Sequence, residues 1–108
     1  MTYAVYTLEV FDKEMKKLSP DYYNKIEKIF LQLKQNPYVG DMIRYKFFRE
    51  KKIKEKRIYY LVYDDLKIVL IVAIGGKKAQ QETIDKIAIY FNDYRTYVEK
   101  LSNSSNFT

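Results

Sequence analysis

The chain is organised around residues 44–78, which read RYKFFREKKIKEKRIYYLVYDDLKIVLIVAIGGKK. This stretch contains three candidate β-strands and most of the basic charge. Its first fourteen residues, 44–57, hold eight basic side chains against two acidic ones, a net charge of +6 that equals that of the whole chain. The aromatic residues interleaved with this charge are Tyr45, Phe47, Phe48, Tyr59, Tyr60 and Tyr63. Such a pattern suits an anionic polymer with flat bases, and the alternative is a solvated β-hairpin whose lysines prevent edge-to-edge aggregation.

Length and composition indicate one globular domain. The 108 residues allow a single core, and a hydrophobic content of 47% excludes wholesale disorder. The longest apolar run, Ile68 to Ile74, is too short to cross a membrane, and the N-terminal residues lack the layout of a signal peptide. We therefore expect a cytoplasmic protein without a membrane partner, with one domain at 1–102 and a flexible tail at 103–108.

The chain contains neither cysteine nor histidine. Disulfides, thiolate chemistry and zinc sites built on these side chains are therefore excluded, and so is the side chain that most often transfers protons near neutral pH. We assign Asp64-Asp65 to a hairpin turn because no other carboxylate is placed to complete a metal site. We expect no metal and no cofactor, so any catalysis must use Lys, Arg, Tyr, Asp or Glu.

The N-terminal part predicts a strand followed by two helices. Tyr3 to Glu9 is rich in β-branched and aromatic residues, which favours a strand. A short helix follows, with one apolar stripe of Phe11, Met15 and Leu18. Ser19-Pro20-Asp21 is typical of a helix start, and this second helix should end at about Gln35, before Asn36-Pro37.

The central stretch predicts three strands. Apolar and polar residues alternate over 43–48, which would bury Ile43, Tyr45 and Phe47 and place Arg44, Lys46 and Phe48 on an outer face. Glu50 to Lys56 is highly charged without Gly or Pro, so we expect a mobile hairpin arm. The next strands are Arg57 to Tyr63 and Lys67 to Ile74, and the continuous apolar run of the latter indicates a strand covered on both faces.

The C-terminal part predicts a long helix from about Lys78 to Leu101. Its apolar residues form a heptad-like seam that is suited to packing on the sheet, with dimerisation or binding of a partner as the alternatives. They are Ile84, Ile87, Phe91, Tyr94, Val98 and Leu101. The predicted order is β-α-α-β-β-β-α, an α+β fold with a mostly antiparallel four-stranded sheet, two N-terminal helices and this C-terminal helix.

Three pieces of the central stretch resemble the RelE/ParE superfamily of toxin–antitoxin toxins. Arg57 to Asp65 (RIYYLVYDD) is similar to the family strand with Arg, an apolar residue, Tyr, a second apolar residue and Asp at set positions. The preceding Phe48-Arg49-Glu50 resembles the family's Leu-Arg-Glu piece, and Ala73 to Gln81 (AIGGKKAQQ) is similar to the strand-to-helix turn of several RelE-like subgroups. The resemblance covers roughly Tyr3 to Tyr94 and favours a RelE-like member, with an archaeal-type RelE as one candidate.

The resemblance implies a function as well as a fold. RelE-type members cut messenger RNA in the ribosomal A site without a metal and thereby inhibit translation, whereas ParE-type members inhibit DNA gyrase without nuclease activity. The expected function is thus a toxin that is a ribosome-dependent endoribonuclease, with the ribosome, messenger RNA and a cognate antitoxin as partners. The alternatives are a ParE-like gyrase inhibitor and a non-catalytic RNA-binding protein.

The resemblance also implies candidate catalytic residues. In RelE-like nucleases an arginine near the start of the third strand contacts phosphate, and Arg57 occupies that place, although it could instead only hydrogen-bond the hairpin. The basic position after the glycine of the strand-to-helix turn corresponds to Lys78, with Lys77 beside it. A helix start itself favours an anion, so these lysines would form a phosphate seat unless they are merely solvated.

Paired basic residues on the second strand act in some relatives as general base and charge stabiliser. Anchoring the comparison on Arg49 places Tyr45 and Phe47 there, and a one-residue shift places Arg44 and Lys46 there. We prefer Arg44 and Lys46 because the alternation turns them outward, and crowding by other cations would fit Lys46 to act as base. The remaining RNA-binding candidates are Arg49, Lys51, Lys52, Lys54, Lys56, Lys77 and Phe48.

The last helix departs from the family pattern. A catalytic tyrosine of some relatives falls on Ile84 in this chain. Its role would pass to Tyr90, Tyr94 or a strand tyrosine, or would be absent, as it is in other RelE-like members. The basic positions favour the nuclease, and Ile84 favours the gyrase inhibitor.

Overall fold

The computed structural model describes residues 2–105, which form a five-stranded sheet between two layers of helices. The elements are β1 (Ala4–Thr7), α1 (Glu9–Met15), α2 (Pro20–Gln35), β2 (Asp41–Ile43), β3 (Tyr45–Ile53), β4 (Lys56–Tyr63), β5 (Ile68–Gly76), α3 (Gln80–Ile89) and α4 (Phe91–Ser105). Short 3₁₀ turns, Pro37–Val39 and Lys77–Ala79, precede β2 and α3. Within 2–105, no helix is both long and apolar enough to cross a membrane.

The sheet has the order β1-β5-β4-β3-β2. Only β1 and β5 are parallel, and the other three neighbouring pairs are antiparallel. The α+β class and the mostly antiparallel sheet are confirmed, but the predicted number of four strands was wrong. The missed strand, β2, has three residues, and three residues are too few to show a period of two.

Strand β4 divides the core into two halves. Tyr59, Leu61 and Tyr63 point to the layer of α3 and α4, while Ile58 and Tyr60 point to the layer of α1 and α2. Both halves are closed because the neighbouring β5 is also buried on its two faces from Ile68 to Val72. The prediction that the apolar run in β5 is covered on both faces is confirmed.

Helix α2 forms as its sequence indicates. It starts at Pro20 and ends at Gln35, and Ile26, Ile29 and Leu33 form its buried stripe. Ser19 contributes its backbone carbonyl, which accepts from the Tyr22 amide at 3.0 Å, rather than a side-chain cap. These signals act within one or two turns, which explains why they could be recognised without knowledge of the fold.

The predicted alternation over 43–48 is wrong from Arg44 onward. Arg44 has a left-handed backbone, with φ of 59°, and forms the turn that separates β2 from β3. Alternation cannot continue through a reversal of the chain, so Phe48 points inward and is fully buried. Tyr45 and Phe47, which we expected in the core, are 51% and 37% exposed.

The predicted mobile arm at Glu50 to Lys56 is a continuation of the sheet. β3 runs to Ile53 and β4 starts at Lys56, and their pairing extends to the last residues of the hairpin. Lys54 supplies the left-handed backbone of the turn, with φ of 54°, which usually requires glycine. The absence of glycine from this segment was therefore a misleading signal.

The predicted long C-terminal helix is two helices. Tyr90 interrupts the hydrogen bonding between α3 and α4, so that Phe91 packs against the rings of Tyr45, Phe47 and Phe48. Five of the predicted seam residues pack in one core with the sheet across this break: Ile84, Ile87, Phe91, Tyr94 and Val98. Of the predicted tail, residues 103–105 belong to α4, and residues 106–108 lie outside the described residues.

Candidate nucleic-acid interface

A cleft of about 530 Å³ lies where the β3–β4 hairpin meets the end of β5 and the starts of α2 and α3. We call it the basic cleft, because six of its lining side chains are cationic. Its lining residues are Tyr22, Lys52, Lys54, Glu55, Lys56, Arg57, Gly76, Lys77 and Lys78. The cleft therefore contains Arg57, which we predicted to contact phosphate, together with Lys77 and Lys78 of the strand-to-helix turn.

Strand register creates the basic cleft. Lys52 lies opposite Arg57 across the β3–β4 pair, and Arg57 lies opposite Gly75 across the β4–β5 pair. The chain then leaves β5 through Lys77 and Lys78, so these lysines reach the side chains of the hairpin although twenty residues separate Arg57 from Lys77. The start of α3 adds a positive dipole end to the same region.

Arg57 is held by a carboxylate. Its Nε lies 3.3 Å from Oε1 of Glu50, and the two side chains are only 14% and 15% exposed. Glu50 also accepts from Nε2 of Gln80, with 3.1 Å to Oε2 and 3.4 Å to Oε1. Sequence reasoning missed both partners, because neither spacing nor composition indicates that Glu50 and Gln80 meet.

Tyr59 lies beside this group. It pairs directly with Glu50 across the β3–β4 register, and its hydroxyl is buried without a hydrogen-bond partner among the described residues. Burial, followed by the negative charge of Glu50, raises the pKa of Tyr59, while Arg57 opposes this shift. The phenol consequently keeps its proton at neutral pH, next to the arginine of the basic cleft.

Two of the predicted RNA-binding residues, Phe48 and Arg49, make contacts within the fold instead of lining the basic cleft. Phe48 is fully buried and contacts the ring of Phe91, so it does not lie on the surface that the basic cleft opens to. Arg49 donates to the backbone carbonyl oxygens of Gly40, Tyr38 and Lys46, at 2.8 to 3.3 Å. Its guanidinium thus stabilises the turn before β2. Lys51, on the same strand, is half-buried and does not line the cleft.

Arg44 and Lys46 lie away from Arg57. Arg44 makes an exposed ion pair at 2.6 Å with Asp85 of α3. Lys46 is six residues before Lys52, the partner of Arg57, which corresponds to about 20 Å along a strand. The structure therefore brings Arg57 and Lys78 together and keeps Arg44 and Lys46 apart from them.

Lys46 borders a second opening of about 570 Å³, which we call the aromatic cleft. Its lining residues are Tyr38, Lys46, Phe47, Val62, Tyr63, Asp64, Asp65, Phe91, Asn92 and Arg95. The carboxylate of Asp65 accepts two hydrogen bonds from Arg95, at 2.7 and 3.0 Å, which ties α4 to the β4–β5 turn. Asp64-Asp65 thus forms the predicted hairpin turn, and within the described residues no group of three or more potential metal ligands occurs.

Asp64 joins three separate segments. It accepts hydrogen bonds from the hydroxyls of Tyr3, at 2.6 Å, and Tyr38, at 2.5 Å. These two bonds hold the pKa of Asp64 below its usual value, and burial together with the bond to Asp64 raises the pKa of Tyr38. The contact fixes the residues before β1 and the 3₁₀ turn before β2 to the β4–β5 turn.

We expect Asp64→Asn to lower the free energy of unfolding by about 1–2 kcal/mol at pH 7, because an uncharged amide offers one acceptor oxygen to the two partly solvated tyrosine hydroxyls instead of two. The pKa of Asp64 is lower in the folded state, so its stabilisation is present above the unfolded pKa and declines as pH falls through the folded value. Urea unfolding at pH 7 and pH 3 measures this, and the difference between variant and wild type should shrink at pH 3. Glu27→Gln, an exposed carboxylate on α2, is the control and should show no such loss.

The helix side of the site lacks the tyrosine found in some relatives. Ile84 is buried in the core under α3, so its position offers neither a hydroxyl nor exposure. Tyr90 is 44% exposed at the break between α3 and α4, and Tyr94 is half-buried. Among the strand tyrosines, Tyr59 lies close enough to Arg57 for the positive charge to oppose the rise in the pKa of Tyr59.

Comparison with solved structures shows what this arrangement of strands and helices resembles. A double mutant of the E. coli toxin RelE in the free state has a TM-score of 0.67 and 19% identity, over 81% of this chain and 99% of that one. The RelBE2 toxin–antitoxin complex from Mycobacterium tuberculosis gives 0.63 and 18%, over 71% and 100%. The archaeal RelE–RelB complex from Pyrococcus horikoshii gives 0.62 and 19%, over 71% and 97%.

Sequence comparison adds no relative to this result. No protein-family model and no curated protein matches the chain. The structural likeness extends over nearly the full length of each of these RelE chains, at identities too low to establish more than architecture. The protein has the fold of the RelE toxins.

Proposed function

We propose that the protein is the toxin of a toxin–antitoxin system and cleaves messenger RNA on the ribosome without a metal. The observation that carries this proposal is the basic cleft, which assembles Arg57, Lys77 and Lys78 on a RelE fold. Six cations around one opening favour a ligand with several phosphates. In this proposal the protein acts in the cytoplasm, where ribosomes and messenger RNA are available.

The reaction that suits this cleft is attack of a ribose 2′ oxygen on the adjacent phosphorus. The bond from phosphorus to the 5′ oxygen breaks, leaving a 2′,3′-cyclic phosphate and a 5′ hydroxyl, and the proton lost at the 2′ oxygen is balanced by one gained at the 5′ oxygen. We assign Arg57 to grip the phosphate oxygens, since a planar guanidinium can donate two parallel bonds. Lys77 and Lys78 stabilise the negative charge that increases in the transition state.

The remaining cations of the cleft have a different proposed role. Lys52, Lys54 and Lys56 lie on the hairpin that borders the opening, so we assign them to phosphates on either side of the cleaved bond. Lys46, about 20 Å along the strand from the residue opposite Arg57, would contact RNA or the ribosome rather than the reacting phosphate. This assignment differs from the sequence-based one, in which Lys46 is the general base.

A cognate antitoxin is the second proposed partner. The E. coli, M. tuberculosis and P. horikoshii neighbours include complexes of RelE with RelB. For this chain we propose an acidic antitoxin segment that covers the basic cleft, because the lining lysines would attract carboxylates as well as phosphates. Such a segment would compete directly with RNA.

Non-catalytic RNA binding is the second candidate function. It is favoured by the separation of Lys46 from Arg57 and by the burial of Ile84, which leave the set known from some relatives incomplete. A protein of this kind would bind RNA with salt-dependent affinity and release no cleaved product. A gyrase inhibitor would instead block supercoiling and leave RNA intact.

Primer extension on a message in a reconstituted translation system tests the proposal. We expect cuts within the A-site codon when purified protein and ribosomes are both present, and none on the same message without ribosomes. A folded protein that arrests growth without cutting RNA would contradict the nuclease function. Gel-shift titration and gyrase supercoiling assays would then separate the other two functions.

A further inference from the structure

Glu50 is a carboxylate that contacts Arg57 of the basic cleft without itself lining the cleft. It lies 3.3 Å from the Arg57 guanidinium, and Gln80 donates to its other side at 3.1 Å. We call this group of Glu50, Arg57 and Gln80 the polar bridge. It joins three elements, because Glu50 belongs to β3, Arg57 to β4 and Gln80 to the first turn of α3.

The charge of Glu50 works against anion binding. A carboxylate this close to Arg57 lowers the positive potential that a phosphate would meet in the basic cleft. A cleft built for affinity alone would gain from an uncharged residue at this position. The placement of Glu50 therefore points to a purpose other than affinity.

Orientation of Arg57 is such a purpose. The contact to Glu50 uses Nε, one of several donor groups on a guanidinium, and the same side chain lines the basic cleft. An arginine side chain has many rotamers, and fixing it in advance removes an entropic cost from binding a transition state. With both side chains about 15% exposed, the ion pair is screened less by water than a surface pair.

Gln80 connects Glu50 to the segment that carries Lys77 and Lys78. It follows Lys77-Lys78-Ala79 directly, so its bond to Glu50 fixes the start of α3 relative to Arg57. The chain at Gly76, just before the lysines, is not tightly packed, because a Cβ built on Gly76 would meet no atom within 4 Å other than those of its chain neighbours. The polar bridge thus supplies a restraint between Arg57 and the lysines that packing at Gly76 does not.

We infer that Glu50 is a positioning residue, which orients Arg57 for the phosphate and, through Gln80, sets the distance from Arg57 to Lys77 and Lys78. The inference rests on the proposed function of the basic cleft. A positioning residue affects the reaction through Arg57 without contacting RNA. Loss of its charge should therefore separate cleavage from binding.

Glu50→Gln tests the inference, because it keeps the shape of the side chain and removes its charge. We expect ribosome-dependent cleavage to fall by about tenfold, while affinity for a 12-nucleotide RNA stays the same or improves by up to about threefold. The matched control is Glu27→Gln, which removes an exposed carboxylate on α2 that lines neither cleft and should leave cleavage within about twofold of wild type. Gln80→Ala should show the same separation as Glu50→Gln, with a smaller loss.

Two further measurements distinguish the possible roles of Glu50. If Glu50 accepted the 2′ proton itself, Glu50→Gln would remove the acidic limb of the pH–rate profile, which would overturn the positioning role. A parallel loss of affinity, cleavage and thermal stability would overturn it as well, since that is the result of a merely structural residue. Cleavage by Glu50→Gln at the wild-type rate is the third contradicting outcome.

Nuclear magnetic resonance gives a readout that does not need cleavage. In the wild type we expect the Arg57 Nε proton to exchange slowly with water, because the ion pair with Glu50 holds a largely buried guanidinium in place, and in Glu50→Gln we expect exchange about tenfold faster, as for a donor whose charged partner is gone. Equal exchange in both proteins would overturn the inference. If the wild type cuts no RNA, the proposed nuclease function fails, while exchange and the RNA titration still decide the role of Glu50.

Discussion

Arg57→Ala should reduce ribosome-dependent cleavage by about 100- to 1000-fold, the largest effect that we expect from one substitution, because it removes preorganised donors where charge develops. Arg57 has this role in our proposal since it lies in the basic cleft with Lys77 and Lys78 and is oriented by Glu50. Arg57→Lys should recover only part of the activity, since lysine keeps the charge but loses the planar fork. Primer extension with a time course measures both variants.

Two controls make the result specific to the site. Arg57→Ala leaves Glu50 largely buried without its cation, so the double variant Arg57→Ala/Glu50→Gln should be made to keep the fold while the activity stays low. Arg44→Ala removes an arginine that the sequence also suggested as catalytic, but which pairs with Asp85 at an exposed position. We expect Arg44→Ala to keep cleavage within about threefold of wild type, as for a surface ion pair. A loss as large as that of Arg57→Ala would refute the placement of the site in the basic cleft.

The double variant Lys77→Ala/Lys78→Ala should weaken RNA binding by about 100-fold at low salt, because two phosphate contacts beside a helix start are lost. The slope of log affinity against log salt should also decrease, by about 0.7 for each contact to single-stranded RNA. Titration of a 12-nucleotide RNA at several salt concentrations measures both quantities.

A charge-matched control separates local contacts from net charge. Lys34→Ala/Lys100→Ala removes two exposed lysines that line neither cleft. Its affinity should fall by less than about threefold, the effect of a lower overall charge screened by salt. If the two double variants weakened binding equally, RNA would be held by diffuse charge, and the basic cleft would not be its site.

The two ends of the sheet differ in the charge of their clefts and in how the charged side chains are paired. The basic cleft collects cations that could act on one phosphate, whereas the aromatic cleft has its carboxylates engaged, Asp64 by tyrosine hydroxyls and Asp65 by Arg95. The first arrangement concentrates positive charge, although Arg57 pairs with Glu50 and Lys54 with Asp21. The second stabilises the fold.

Local patterns in the sequence were sufficient for several elements. Pro20–Gln35 has a start signal, a stripe and a stop signal within its own residues, and the apolar run of β5 could only be a strand covered on both faces. The resemblance to RelE rested on three short pieces, Phe48 to Glu50, Arg57 to Asp65 and Ala73 to Gln81, and the RelE-like fold is confirmed. The class of fold could therefore be predicted.

Errors arose wherever one residue changed the direction of the chain. Arg44 and Lys54 adopt left-handed backbones without being glycine, so a hairpin was read as one strand and a second hairpin as a mobile arm. The first of these errors shifted the alternation and placed Phe48 outside rather than inside. Tyr90 ends α3 without a Pro or Gly signal, so the break before α4 could not be predicted from the sequence.

The sequence by itself determined the kinds of side chains available, which are many cations and no histidine, and the strands and helices that carry them. Only the tertiary structure decided which of them meet. The antiparallel register brings Arg57 to Lys77 and Lys78 and leaves Lys46 about 20 Å away, and it places Glu50 and Gln80 beside Arg57. The physical reason is that periodicity is set by neighbours along the chain, whereas register is set by turn geometry and by packing between residues that are distant in sequence.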